Sequence, residues 1–203
     1  MKTCKIKICG LKRPEDIAYV NEARPDFAGF IINFPKSHRS LTPDRVRELV
    51  KRLDPAIRAV GVFVDEDPEV ITGLLQEGTL AMAQLHGQET ENVIRQIQRE
   101  SKKPVIKAFT VAGKADINRA LSSPADYILL DRGQGSGQCF DWNLLPKIDR
   151  PWFLAGGLGV DNLSEAVEHI SPYAVDLSSG VEIDTYKDRE LILKAVKLVR
   201  NEG

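Results

Sequence analysis

Short runs of Val, Ile, Leu and Phe recur at near-constant intervals along this 203-residue chain, with amphipathic stretches between them. The eight runs cover residues 4–9, 27–32, 57–64, 82–85, 105–109, 127–130, 152–155 and 173–177. Their starts lie roughly 20 to 30 residues apart, a spacing that fits a strand, a loop and a helix and is too long for an array of hairpins. The stretches between them carry a helical period. In residues 43–53, Val46, Leu49, Val50 and Leu53 fall at i, i+3, i+4 and i+7, with Thr42 as N-cap and Pro43 at the first helical position. Residues 89–100, 161–170 and 189–199 behave alike. Residues 14–20, 68–75 and 115–121 are shorter, and 141–148 has room for a turn or two.

Strand and helix therefore alternate from end to end. The runs are apolar on both faces, as strands of a parallel sheet covered by helices must be. Eight such units permit a closed barrel or an open doubly wound sheet. A nucleotide-binding open sheet should carry G-x-G-x-x-G after its first strand. Here that strand runs into Cys9-Gly10-Leu11-Lys12. The count and the failed motif predict an α/β fold, a single-domain (β/α)8 TIM barrel over residues 1–203. The length is near the lower edge for that fold, so loops should be short. No interdomain linker is visible, and the most loop-like stretch is 132–138.

Lys and Arg number 28 and Asp and Glu 29, a net charge of −1, so no general nucleic-acid partner is expected. The longest uniformly apolar stretch, about residues 59–64, is far too short to span a bilayer. The N-terminus is basic but has no apolar core of the secretory kind. An odd number of cysteines, three, reads as reduced thiols in a cytoplasmic protein. The three histidines have no metal-ligand spacing, so no metal is expected.

Barrels of this kind place their chemistry at the C-terminal ends of the strands. Polar residues there are Cys9, Asn33 and Arg39, Asp65, His86, Thr110, Asp131, Gly156-Gly157 and Ser178-Ser179-Gly180. Loops after strands 7 and 8 are the usual phosphate site, and glycines with small hydroxyls let backbone N–H groups approach an anion. Taken singly, each of these motifs is also an ordinary turn; together, at these two strands, they point to a phosphorylated ligand. Cys9 serves as base or nucleophile if positive charge favours its thiolate. It reads equally as a small buried hydrophobe. Asp131 is a proton donor or a loop cap. Cys4, at the start of the same strand, and Cys139, in a loop, are expected to be non-catalytic. Arg39 has the donor geometry for a carboxylate or phosphate, or is a solvated charge. His86 reads as a structural hydrogen-bonder, and Asp16, Glu22 and the other helix charges as solvated faces.

Seven motifs in order, KICGL at 7–11, FPKSHRSL at 34–41, QLHG at 84–87, LLD at 129–131, GSGQCFDW at 135–142, LAGGL at 154–158 and VDLSSGVE at 175–182, span essentially the whole chain. Together they resemble the phosphoribosylanthranilate isomerases of tryptophan biosynthesis. The resemblance implies an eight-fold barrel and an Amadori rearrangement of N-(5'-phosphoribosyl)anthranilate. It makes Cys9 the general base and Asp131 the general acid, and sets Arg39 on the anthranilate end, with His86 and Asp176 shaping the substrate site. Gly156, Gly157, Ser178, Ser179 and Gly180 would hold the phosphate. The substrate supplies its own electron sink, so no cofactor is implied; the partner is a small sugar phosphate and the state monomer or homodimer. Two departures stand out: Gln134-Gly135-Ser136-Gly137 where Gly-Gly-Thr-Gly is usual, and His38 where proline is common. The histidine-pathway isomerase, with an aspartate ending strand 1, and indole-glycerol-phosphate synthase, with a lysine there, are rivals that Cys9 disfavours. A non-catalytic phosphate-binding barrel would also account for the glycine-rich loops, and a thiol hydrolase would use Cys9, His86 and Asp131.

Overall fold

The structure, a computed structural model, describes residues 4–131 and 148–200. Its main strands are β1 (Lys5–Cys9), β2 (Phe27–Ile32), β3 (Arg58–Phe63), β4 (Met82–Leu85), β5 (Val105–Thr110), β6 (Tyr127–Asp131), β7 (Trp152–Ala155) and β8 (Ala174–Leu177). Among the described residues the helices are α1 (Pro14–Ala23), α2 (Pro43–Val50), α3 (Pro68–Gln76), α4 (Glu91–Ser101), α5 (Lys114–Leu121), α6 (Leu163–Ile170) and α7 (Arg189–Arg200). The strands pair in parallel around the order β1-β8-β7-β6-β5-β4-β3-β2, and β1 also pairs with β2, which closes the ring. The expected eight-stranded α/β barrel is what forms. Every apolar run became a strand, with ends moved by a residue or two. The expectations for residues 132–138, for 141–147 and for Cys139 fall outside the described residues.

Period-two alternation divides each strand between two cores. Ile6 and Ile8 of β1 join the layer between strands and helices, with Val20, Phe30, Phe63 and Leu85. The other face lines the barrel. Its floor, at the N-terminal ends, holds Phe27, Val60, Met82, Ile106, Leu129 and Phe153. There Phe27 and Phe153 meet edge to face at 5.3 Å, Tyr127 lies 5.3 Å from Tyr173, and Arg58 stacks 4.1 Å from the Phe27 ring. Quadrupolar ring edges and a cation over a ring face suit such packing.

Two local expectations change. The apolar period through Leu53 persists, but α2 ends at Val50. Residues 51–53 continue as tight turns, with Arg52 N–H donating to Leu49 O and Leu53 N–H to Val50 O. The period recorded burial, and Leu53 stays buried without being helical. Asp16, expected on a solvated face, is fully buried. It accepts from Lys12 N, Arg13 N and the Arg13 guanidinium at 2.8–3.0 Å. As the third residue of α1 it receives donors that the first helical turn leaves orphaned, so its role is a cap. Glu22 keeps its partly exposed position but pairs with Arg189. No helix among the described residues is long and apolar enough to cross a membrane.

Candidate active site

A parallel ring puts every strand's C-terminal end on one mouth. Cys9 and Asp131 are the last residues of β1 and β6, and His86 follows β4 directly. Gly156-Gly157 follows β7, Asp176 lies in β8, and Ser178-Ser179-Gly180 follows β8. Around the ring the sequence is β1, β8, β7, β6, so the two glycine-bearing loops stand on the strands between Cys9 and Asp131. Arg39 reaches the same rim because Ser40–Leu41 forms a two-residue strand that pairs with β2.

Cys9 is 7% exposed and reduced. Its sulfur sits against Gly29 of β2: a Cβ there would fall 2.8 Å from Cys9 Sγ and 3.1 Å from Lys7 Cε. Two residues down β1 and on the same face, Lys7 has no exposed surface and donates to both oxygens of Asp176, at 3.0 and 2.9 Å. The Lys7 charge also favours the ionised form of the neighbouring thiol. Burial pushes the Cys9 thiol above its ordinary value, while Lys7 draws it down, Asp176 adds to the rise and Lys187 opposes it. Burial alone would depress Lys7, but Asp176 and Cys9 reverse this and raise it. Burial likewise raises Asp176 against the pull of Lys7 and His86. A sulfur, an ammonium and a carboxylate thus share one buried pocket. At the other end of β1, burial and Asp26 push the Cys4 thiol up to about 12.

The Arg39 guanidinium makes a two-pronged pair with Glu182, Nε to Oε1 at 2.8 Å and Nη2 to Oε2 at 2.5 Å. Lys187 donates to the same Oε1 at 2.5 Å and to Ser178 O at 3.0 Å. Burial would raise the Glu182 carboxyl, but the hydrogen bonds from Arg39 and Lys187 outweigh it and hold it at about 2. Burial lowers Lys187, against the attraction of Glu182. Arg39 passes against Gly10, where a Cβ would come within 2.4 Å of Arg39 Cδ. The glycine of KICGL is what leaves room for the arginine beside the end of β1.

The His86 ring, about a third exposed, places Nε2 3.7 Å from Asp131 Oδ2, beyond hydrogen-bond range. The Gln84 amide nitrogen lies 3.2 Å from Nδ1. Burial lowers His86, opposed first by Asp131. The loop that carries it is clamped by a buried pair: Lys107 donates to Glu89 at 2.9 Å and to Gly87 O at 2.7 Å. Glu89 in turn accepts from Gly87 N and Asp65 N.

Gly156 and Gly157 both adopt positive φ, 94° and 67°. The two rim loops touch backbone to backbone, since a Cβ on Gly180 would fall 1.9 Å from Leu158 O. A short 3-10 turn, Ser179–Val181, follows β8. Ser178 Oγ donates to Cys9 O at 3.2 Å, so this hydroxyl ties the loop after β8 to the end of β1.

The structure brings all the sequence-derived candidates to one rim. Sequence reasoning missed Glu182, Lys187 and Gln84 as members, although Glu182 closes the VDLSSGVE motif and Gln84 opens QLHG. Lys7 was visible as part of KICGL, but not its contact with the sulfur. Among the described residues no group of three or more His, Cys, Asp and Glu is arranged to hold a metal.

Comparison with known proteins agrees with this geometry. Residues 6–198 match the family described as N-(5'phosphoribosyl)anthranilate (PRA) isomerase. The N-(5'-phosphoribosyl)anthranilate isomerase of Endomicrobium trichonymphae is 44% identical, over 97% of this chain and 98% of its own. The crystal structure of phosphoribosyl anthranilate isomerase from Thermotoga maritima superposes with a TM-score of 0.89 at 38% identity, covering 98% of this chain and 99% of that one. A second crystal structure of such an isomerase, in complex with reduced 1-(o-carboxyphenylamino)-1-deoxyribulose 5-phosphate, gives 0.86 at 35% identity, with 98% and 99% covered. The chain belongs to the N-(5'-phosphoribosyl)anthranilate isomerase family.

Proposed function

We propose that this chain converts N-(5'-phosphoribosyl)anthranilate to 1-(2-carboxyphenylamino)-1-deoxyribulose 5-phosphate by general acid and base catalysis, with Asp131 as acid and Cys9 as base. The observation that carries the reading is the order of strands at the mouth: the loops after β7 and β8 separate the strand of the thiol from the strand of the carboxyl. A phosphate held by Gly156, Gly157, Ser179 and Gly180 leaves its ribose between the two groups. Arg39 takes the anthranilate carboxylate on the β2 side.

Asp131 gives its proton to the furanose ring oxygen. The C1–O bond breaks and the arylamine nitrogen supplies the electrons, forming the Schiff base. The Cys9 thiolate then removes the C2 proton, and the electron pair moves to C1–C2 and onto nitrogen. The resulting enolamine tautomerises to the ketone. No electrons leave the substrate, so the chemistry runs on proton transfers alone. Burial opposes the thiolate, and Lys7 and Lys187 are the positive charges that favour it. His86 faces the acid across 3.7 Å, and Asp176 holds Lys7 against the base. This reading places the enzyme in the cytoplasm with a small sugar phosphate as its partner.

The test is isomerisation of freshly prepared phosphoribosylanthranilate, followed by anthranilate fluorescence. Cys9→Ala and Asp131→Asn should each lower kcat by about 10² to 10⁴. A Cys9→Ala protein that turns over normally overturns the base assignment. A thiol hydrolase would instead form an acyl-enzyme and lose as much activity in His86→Ala as in Cys9→Ala.

A further inference from the structure

The Arg39 pair with Glu182 raises a geometric question, because an arginine expected to grip a substrate carboxylate already grips a protein one. A guanidinium has five N–H donors in a plane, arranged as two adjacent forks that share Nη2. Glu182 occupies the Nε–Nη2 fork with both oxygens. Two N–H groups on Nη1 and one on Nη2 remain, and one from each forms a second parallel pair on the end-on edge. Arg39 keeps 15% of its side-chain surface exposed, against 6% for Glu182 and 1% for Lys187. Arg39 is therefore the member of this cluster most open to solvent.

Charge supports the same division. Arg39 and Glu182 alone would cancel, and a neutral pair attracts no anion. Lys187, buried on the Glu182 oxygen that also takes Arg39 Nε, restores one net positive charge to the group. That is the charge needed to receive a monoanionic carboxylate. Lys187 also donates to Ser178 O, and Ser178 to Cys9 O, so the arginine, the phosphate loop and the base strand form one connected unit.

We propose that Glu182 is a specificity-determining positioning residue: it fixes the Arg39 guanidinium by one edge and leaves the other as the grip for an aryl carboxylate at a set distance from the phosphate loops. The inference rests on the reading of Arg39 given above. An unrestrained arginine would follow its ligand to a range of positions; this one accepts a planar carboxylate at one place. The clamp therefore discriminates between amines with and without an ortho carboxylate on the ring.

The experiment measures dissociation constants for two probes, the reduced product analogue 1-(o-carboxyphenylamino)-1-deoxyribulose 5-phosphate and the same compound lacking the carboxylate. The intact enzyme should prefer the carboxylated probe by about tenfold to a hundredfold, the range of a charge-assisted two-pronged contact. Glu182→Gln puts a donor where one of two acceptors stood, so either the Nη2 contact of Arg39 or both contacts at Oε1 become repulsive. It should cut the preference by about tenfold while the carboxylate-free probe binds as before, and raise KM more than it lowers kcat. Glu182→Asp, which keeps the charge but shortens the reach, should lie between the two and serves as the folded variant if the Gln form melts. If Arg39→Ala loses the preference but both Glu182 variants keep it, the inference fails while the Arg39 assignment stands. If Arg39→Ala keeps the preference, the assignment itself falls. Equal weakening of both probes in a folded Glu182 variant would mean a structural role only and would overturn the proposal.

Discussion

The two ends of the barrel use the same eight strands for opposite purposes. At the floor, Phe27, Phe153, Tyr127 and Tyr173 fill the interior with ring edges and faces. At the mouth, the corresponding inward positions hold Lys7, Cys9, Gln84 and Asp176, all buried or nearly so. Rings pack without partners, but each buried polar group needs one, because desolvating an unpaired charge is costly. Lys7 is therefore paired with Asp176, Lys107 with Glu89, and Lys187 with Glu182. The floor can be read as stability and the mouth as chemistry. The two cysteines of β1 make the contrast within one strand. Cys4, at the floor end, donates to Lys5 O and packs against the outer core. Cys9, at the mouth, faces a lysine.

The sharpest way to break this contrast is to exchange the roles of the two thiols. Cys9→Ala should lower kcat by about 10² to 10⁴ with little change in melting temperature, and Cys4→Ser should leave kcat unaltered. Steady-state fluorescence kinetics on the two variants decide it, and equal losses would mean that the mouth is not special. The converse operation is Phe153→Ala. Removing a fully buried ring from the floor should destabilise the protein by about 3–5 kcal/mol, measured by denaturant titration. The fraction that stays folded should keep its kcat. A large kcat loss in folded protein would show that floor and mouth are coupled.

A smaller effect separates charge from packing within the mouth. Lys7→Met keeps most of the side-chain volume and removes the ammonium that opposes burial at Cys9. The thiol, already above its ordinary value, should rise further. At neutral pH kcat should fall by about tenfold for each unit of that rise, with recovery at alkaline pH. The rate of Cys9 alkylation by iodoacetamide against pH reports the thiolate directly. An unmoved alkylation profile would show that Lys7 only packs.

How much of this was legible beforehand follows from the range over which each interaction acts. The strands were readable because burial on both faces leaves a run of apolar residues with no polar gap, as in Phe27–Ile32 and Trp152–Ala155. The rim candidates were readable because the end of such a run is itself a sequence position. The end of α2 was not, because the apolar period of Leu53 reports which side is buried and does not distinguish helix from turn. Asp16 was misread because a capping carboxylate and a solvated one look alike at the start of a helix. The ion pairs of the mouth were invisible for a different reason. Lys7 and Asp176 are 169 residues apart, and Arg39 and Glu182 are 143 apart, so only closure of the ring makes them neighbours. KICGL and VDLSSGVE were each read as separate motifs, whereas β1 and β8 are adjacent strands.

The smallest expected effect concerns acid stability, and it again divides mouth from floor. The Glu182 carboxyl is held at about 2, below the usual 4.5, so its ionised form is favoured by folding. Such a group stabilises the protein above the unfolded value, and the contribution is lost as pH falls through the folded one. The melting temperature of the intact protein should therefore exceed that of Glu182→Gln at neutral pH. The gap should narrow between about pH 4.5 and pH 2. For a chain of this size each kcal/mol corresponds to about 2–4 °C, so the shift is within reach of a thermal melt. Phe153→Ala has no titrating group in that window, and its gap to the intact protein should stay flat over the same pH range. A Glu182→Gln gap that does not change with pH would mean that Arg39 and Lys187 contribute at the mouth by packing, as the floor does, and not by charge.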